Sequence, residues 1–258
     1  MSPIQSGKTF TADRMAVRVF GAAAELFAEA AAMAQRRLQG AIKERGSAAA
    51  ILATGNSQLQ FLDMLVKNGG VDWSRVVLFH MDEYLGIGPE HPASFAHYMH
   101  QRVEERVHPR EFHYLCGDSP EPIKECEQYE QLLRAQPIDL CVLGVGENGH
   151  LAFNDPPVAD FEDDRWVKLA RLDESNRRQQ MGYGYFKSLA EVPLYGITLT
   201  IPALCSAREV LCLAPGRRKA EVVRRLLRED VSPRCPASFL RLQPQAHLLL
   251  DAESGSLL

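Results

Sequence analysis

Short, continuous apolar runs alternate with longer amphipathic stretches along most of the chain, and this alternation restricts the possible folds more than any other feature. The run Ala49-Ala50-Ile51-Leu52-Ala53 stops at Thr54-Gly55 and is followed at once by helical periodicity over 58–67. Val76-Val77-Leu78-Phe79 and Ile138-Asp139-Leu140-Cys141-Val142-Leu143 have the same character, as do 195–199, 209–213 and 246–250; 166–172 reads as a further strand. Helices are expected over 12–45, 93–107, 122–135 and 216–228; in the first, Leu26, Ala30, Met33, Leu38 and Ile42 recur at helical spacing. Strands that are apolar on both faces need cover on both faces, and intervening helices supply it. The expected fold class is α/β. It is a single three-layer αβα domain over 1–258 on a mostly parallel, doubly wound, Rossmann-like sheet, with a lid expected around 155–190.

Of the 258 residues, 46% are hydrophobic and 24% charged, enough for a large core and ordinary for a globular chain. The net charge is -4 with both signs interspersed; without a basic stripe, nucleic acid is not an expected partner. The alanine-rich stretch 22–34 is interrupted by Glu25 and Glu29 and is too short and polar to span a bilayer, so no membrane partner is expected. Residues 1–11 lack the basic patch and apolar stretch of a secretory leader. Cys116, Cys126, Cys141, Cys205, Cys212 and Cys235 form no CxxC pair, and several sit inside apolar runs. Reduced, buried thiols in a cytoplasmic protein are the expectation, with homo-oligomerisation left open.

Open parallel sheets bind ligands beyond the carboxyl ends of their strands. Three polar or glycine-rich motifs fall there and are expected to converge. Thr54-Gly55-Asn56-Ser57 joins a strand to a helix start, where free N–H groups and the helix dipole attract an anion. A simple helix cap by Ser57 explains the segment equally well, and the lysine of a nucleoside-triphosphate loop is missing. Asp82 and Glu83 follow the second strand; neighbours on extended chain point to opposite sides, so one can enter a site while the other faces away. A carboxylate in a partly desolvated pocket makes a base near neutral pH, though two solvated acids in a turn explain the pair better on local grounds. The third motif runs from Gly144 through Gly146, Asn148 and His150 to Asp155. Its glycines permit close approach, His150 is a proton shuttle, and Asn148 and Asp155 are placed to fix the imidazole tautomer. His80, Asp82, His91, His97 and His100 crowd one region but lack metal-site spacing, so no metal is expected and the histidines are read mainly as surface, lid or cap groups.

Met81-Asp82-Glu83-Tyr84 with His91-Pro92 and Ser94-Phe95, and Gly144-Val145-Gly146-Glu147-Asn148-Gly149-His150-Leu151-Ala152-Phe153-Asn154, resemble the glucosamine-6-phosphate deaminase/isomerase family. Weaker echoes lie at 192–198, 216–220 and 235–238, so the likeness runs in order from about 51 to 251. The resemblance implies an enzyme that opens a phosphorylated amino sugar, moves a proton between C2 and C1, and releases ammonia and a ketose phosphate. It implies Asp82 as the base, His150 as the ring-opening group, and Asn148 and Asp155 as its supports. It further implies Thr54, Gly55, Asn56, Ser57 and Lys219 as phosphate-holding positions; Glu83 and Gly146 are also expected to contact substrate. The partner is a small sugar phosphate, and that chemistry requires neither metal nor organic cofactor.

Three positions depart from the family pattern. Asp155 stands for the usual Glu and is one methylene shorter, so its contact with His150 is expected to be loose or bridged by water. Asn56 stands for Gly in the phosphate loop. Gly182 falls where the family usually carries a phosphate-gripping Arg, with Arg177 and Arg178 nearby, which leaves room for a divergent branch acting on another amino sugar or sugar acid. A 6-phosphogluconolactonase shares the implied fold but needs no C2 base and normally lacks the Ala-Phe-Asn continuation. A sugar-phosphate sensor without turnover would not need a proton shuttle.

Overall fold

The computed structural model describes residues 7–182 and 184–258, and in it most of the apolar runs become neighbouring strands. The described residues begin with β1 (Lys8–Ala12), β2 (Met15–Phe20), α1 (Ala23–Arg45), β3 (Ala48–Leu52), α2 (Leu59–Lys67), β4 (Val76–His80) and β5 (Asp82–Tyr84). It continues with α3 (Phe95–Met99), a π-helical turn (His100–Glu104), α4 (Glu105–Val107), β6 (Glu111–His113), α5 (Pro122–Arg134) and β7 (Leu140–Gly144). Then come β8 (Val167–Arg171), α6 (Glu174–Met181), β9 (Tyr195–Leu199), α7 (Ile201–Cys205), β10 (Val210–Ala214), α8 (Ala220–Arg228) and β11 (Ala246–Asp251).

Eight strands pair in the order β1-β2-β11-β10-β7-β3-β4-β6, all parallel except the β1–β2 hairpin. Side chains alternate across the sheet: Ala49 and Ile51 of β3 pack on one face, Ala48, Ala50 and Leu52 on the other. The second face is covered by α1 and α2 through Leu26, Leu38, Phe61 and Leu65. The first is covered by α5 and α8 through Tyr129, Leu133, Val222 and Leu226. Each large aliphatic side chain buried this way contributes about 1.5–3 kcal/mol, so the covered double-faced sheet is the main source of stability. From β3 the chain winds toward β4, and from β7 it winds the other way to β10; the topological switch point lies between β3 and β7.

Three expectations are corrected. The first helix does not begin at residue 12: Met15, Val17 and Val19 are buried alternately, with period two, and form an edge strand before α1 starts at Ala23. The strands at 167–171 and 195–199 do not join the large sheet; with β5 they make a separate antiparallel sheet in the order β5-β9-β8. Apolar content identified them as strands, but it carries no information about partners; Val167, Ile197 and Leu199 bury themselves against one face of the main sheet. The helix expected over 93–107 is broken by the π-helical turn.

Candidate functional site

At the switch point a cavity of about 780 Å³ opens beyond the carboxyl ends of β3, β4, β7 and β10. Thr54, Gly55, Asn56 and Ser57 line it after β3, Asp82 after β4, Gly144, Gly146 and His150 after β7, and Lys219 after β10. The three motifs do converge. Gly55 takes φ +96°, a left-handed conformation that glycine adopts without cost, and its carbonyl accepts the Gln58 N–H at 3.0 Å. The loop thus turns directly into α2 with Ser57 beside the cavity.

Asp82 sits where the chain leaves one sheet for the other, paired with Thr198 as the first residue of β5. It is buried yet lines the cavity, and burial, with Glu83 beside it, pushes its pKa up to about 8. Glu83 points the other way. It accepts from Ser94 Oγ at 2.7 Å and from the N–H groups of Tyr84 (2.9 Å), Ala96 (2.9 Å) and Phe95 (3.2 Å). Glu83 therefore ties β5 to the start of α3 and does not line the cavity; its expected substrate contact is corrected. Neither acid is solvated as a plain turn would require, because the pair forms a buried strand.

His150 Nδ1 lies 2.7 Å from Asn148 Oδ1 and 3.1 Å from Asp155 Oδ1. Two oxygens at Nδ1 place the proton there and leave Nε2 as the atom available to a ligand. Asp155 is fully buried; its Oδ1 also accepts from Asn148 Nδ2 at 2.9 Å, and its Oδ2 from Asn176 Nδ2 at 3.0 Å and Asp173 N at 3.1 Å. Burial pushes this carboxyl up, but hydrogen bonds and charge from His150, with bonds from Asn148 and Asn176, outweigh it and hold the pKa below the ordinary value. The loose or water-bridged contact expected of the shorter side chain is corrected: the contact is direct. Gly146 faces the ring so closely that a Cβ there would fall 2.1 Å from His150 Cε1. The loop behind is pinned by Asn154 Nδ2, which donates to the carbonyls of Leu151 and Leu199 at 2.8 Å each, and by Phe153 N–H on Thr198 Oγ1 at 3.0 Å. These anchors hold Ala152 in the left-handed region at φ +50°, a conformation of order 1–3 kcal/mol above the favoured ones.

Lys219 is half-buried, makes no ion pair among the described residues, and has its pKa lowered by burial, with Glu147 opposing that shift. Gly182 lines the cavity, and so does Arg178, one helical turn earlier on the same side of α6. Arg178 pairs with exposed Glu174, whereas Arg177 turns away and donates to the carbonyls of Leu189 and Val192. Gln180, Tyr98 and Tyr185 also line the cavity and were not foreseen. α6 is polar all round, so no apolar stripe marked which side faces inward; its signal was the Asp173 cap, which accepts from Ser175 N–H at 2.9 Å. The histidines disperse. His80 is buried, accepts from Leu115 N–H at 2.8 Å and is held neutral by burial, which lowers its pKa to about 3, so its reading as a surface or cap group is corrected. His91 stacks on Phe186, and exposed His100 pairs with Glu104 and Glu105. Among the described residues no group of three or more His, Cys, Asp or Glu is arranged to hold a metal ion, and no helix is long and apolar enough to cross a membrane.

Fold and site together define a doubly wound α/β protein with a buried carboxylate and an oriented imidazole facing one cavity. The family described as glucosamine-6-phosphate isomerases/6-phosphogluconolactonase matches residues 21–249, and the chain belongs to it. A glucosamine-6-phosphate deaminase of Exiguobacterium sp. is 36% identical over 205 residues, 80% of this chain and 78% of that protein. One from Bacillus pumilus is 35% identical over 239 residues, covering 90% and 95% respectively. The solved structure of a monomeric glucosamine-6-phosphate deaminase superposes with TM-score 0.86 at 29% identity, over 94% of this chain and 99% of that one. A 6-phosphogluconolactonase from Shewanella baltica superposes with TM-score 0.75 at 18% identity, covering 94% and 100%, and shares the fold.

Proposed function

We propose that this protein is an amino-sugar-phosphate deaminase acting on glucosamine 6-phosphate, with water as co-substrate and a ketose phosphate and ammonia as products. The observation that carries the reading is the shared cavity: Asp82 and His150 line the same space as the anion-attracting loop 54–57 and Lys219. The phosphate docks on the loop N–H groups, the Thr54 and Ser57 hydroxyls and Lys219. Arg178 joins it by leaving Glu174. That exposed i,i+4 pair is worth about 0.3–0.5 kcal/mol, less than the roughly 1.5–3 kcal/mol of a charged hydrogen bond to the anion, so the exchange is favourable.

His150 Nε2 takes the proton of the anomeric hydroxyl and returns it to the ring oxygen, which opens the pyranose to the aldehyde. Asp82 as carboxylate removes the C2 proton while O1 takes a proton from the C2 ammonium, giving an enolamine; Asp82 then delivers its proton to C1, and water hydrolyses the resulting C2 iminium to the ketone and ammonium. A carboxyl with a pKa of about 8 is largely protonated at neutral pH, and the ammonium at C2 of an amino sugar draws it back to the charged form. This favours an amino sugar over a neutral one.

The test is release of ammonia and ketose phosphate from a panel of phosphorylated amino sugars, with acid release from 6-phosphogluconolactone measured alongside. Asp82→Asn abolishes turnover, at least about 10³-fold, while substrate affinity stays within a few-fold. Retention of most of the activity in that variant removes Asp82 from the role.

A further inference from the structure

Asn176 is buried on the first turn of α6, does not line the cavity, and has no part in the steps above. Its Nδ2 donates to Asp155 Oδ2 at 3.0 Å. Its Oδ1 accepts from Gln180 Nε2, one turn further on, at 3.4 Å. With the oxygen so engaged, the amide presents its NH₂ group to Asp155 and not its oxygen. Ser175 Oγ adds a second link: it accepts from Asn148 Nδ2 at 3.1 Å and donates to Asp173 Oδ1 at 2.6 Å. The first turn of α6 thus holds both supports of the imidazole, while Gln180 on the same helix lines the cavity. A carboxylate held at one oxygen swings about its last torsion; held at both, it has a single orientation.

We infer that Asn176 is a positioning residue for proton transfer at His150, acting through Asp155 to keep the proton on Nδ1 and Nε2 open to the ligand. The inference deepens the deaminase reading and rests on it for its kinetic arm. His150 faces Asp155 from the loop, and the carboxylate of Asp173, the cap of α6, is turned onto Ser175. Arg177 is taken by the Leu189 and Val192 carbonyls, and Lys168 of β8 by Asp163 and the Val158 carbonyl. Apart from one backbone N–H, Asn176 is the donor to Oδ2. Without it burial regains ground, the Asp155 pKa rises, and the carboxylate is protonated at a higher pH.

The experiment uses the full chain with Asn176→Ala, Asn176→Asp and Gln180→Met. In ammonia release from glucosamine 6-phosphate, Asn176→Ala lowers kcat about tenfold and changes KM less than about threefold. Asn176→Asp keeps the volume, loses the donor and sets a like charge against Asp155, so it falls further. ¹⁵N NMR of the His150 ring reads the tautomer without turnover: Nδ1–H in the native protein, a mixture in the Asn176 variants, and a smaller change in the same direction in Gln180→Met, which removes only the donor that orients Asn176. If the native protein releases no ammonia, the deaminase reading fails and the NMR arm still decides the role of Asn176. An unmoved kcat and tautomer, with only thermal stability reduced, overturns the inference.

Discussion

Gly146 and His150 compete for one space. A methyl at 146 would stand 2.1 Å from the ring, so Gly146→Ala must displace the imidazole or the strand end. Misplacement by about 1 Å costs on the order of a hundredfold in rate, and kcat of Gly146→Ala is expected to fall by that much with a smaller change in KM, as steady-state kinetics will show. Arg178 gives the opposite pattern. It lines the cavity and has no part in the proton transfers, so Arg178→Ala raises KM about tenfold and leaves kcat within about threefold. An unchanged KM would leave the phosphate to Lys219 and the loop.

Among the elements, α6 and the three-residue strand β5 carry the most function for their length. β5 places Asp82 inward and Glu83 outward by its pleat alone, and Glu83 then fastens the strand to the start of α3 with three accepted hydrogen bonds. α6 orients Asp155 from its first turn and is joined to the 184–194 segment through Arg177. Removing that guanidinium leaves the Leu189 and Val192 carbonyls without this donor. Arg177→Ala is expected to lower stability by about 1–2 kcal/mol and to speed amide exchange in that segment, measured by thermal unfolding and hydrogen exchange. Both elements were poorly legible beforehand: β5 is too short for a periodic signal, and α6 lacks an apolar face.

For the whole molecule, the buried base sets stability against activity. The folded pKa of Asp82, about 8, lies above its ordinary value, so its contribution favours folding fully below about pH 4 and is lost as pH rises to about 8. Asp82→Asn mimics the protonated form, and its Tm advantage over the native protein should grow from pH 4 to 8 and then level off. Because the base acts ionised, kcat/KM should rise with pH through about 8, whereas kcat, measured with the cationic amine bound, should show that limb at lower pH. A kcat/KM flat from pH 6 to 9 would contradict the burial of Asp82 in the free protein.

The seven foreseen strands, the doubly covered sheet and the glycine-rich His150 motif were readable in the chain, because periodicity and strand-end glycines are local properties, whereas Asp82 stood out only through the family resemblance. Pairing was not: nothing within 166–172 or 195–199 tells a strand to join β5 and leave the main sheet, since that choice depends on the surface already formed by α5, α7 and β7. The same holds for the direct grip of Asp155 on His150 and the division of labour between Arg177 and Arg178. Each is set by which groups come within hydrogen-bond reach of a side chain, a quantity that exists only once the chain is folded.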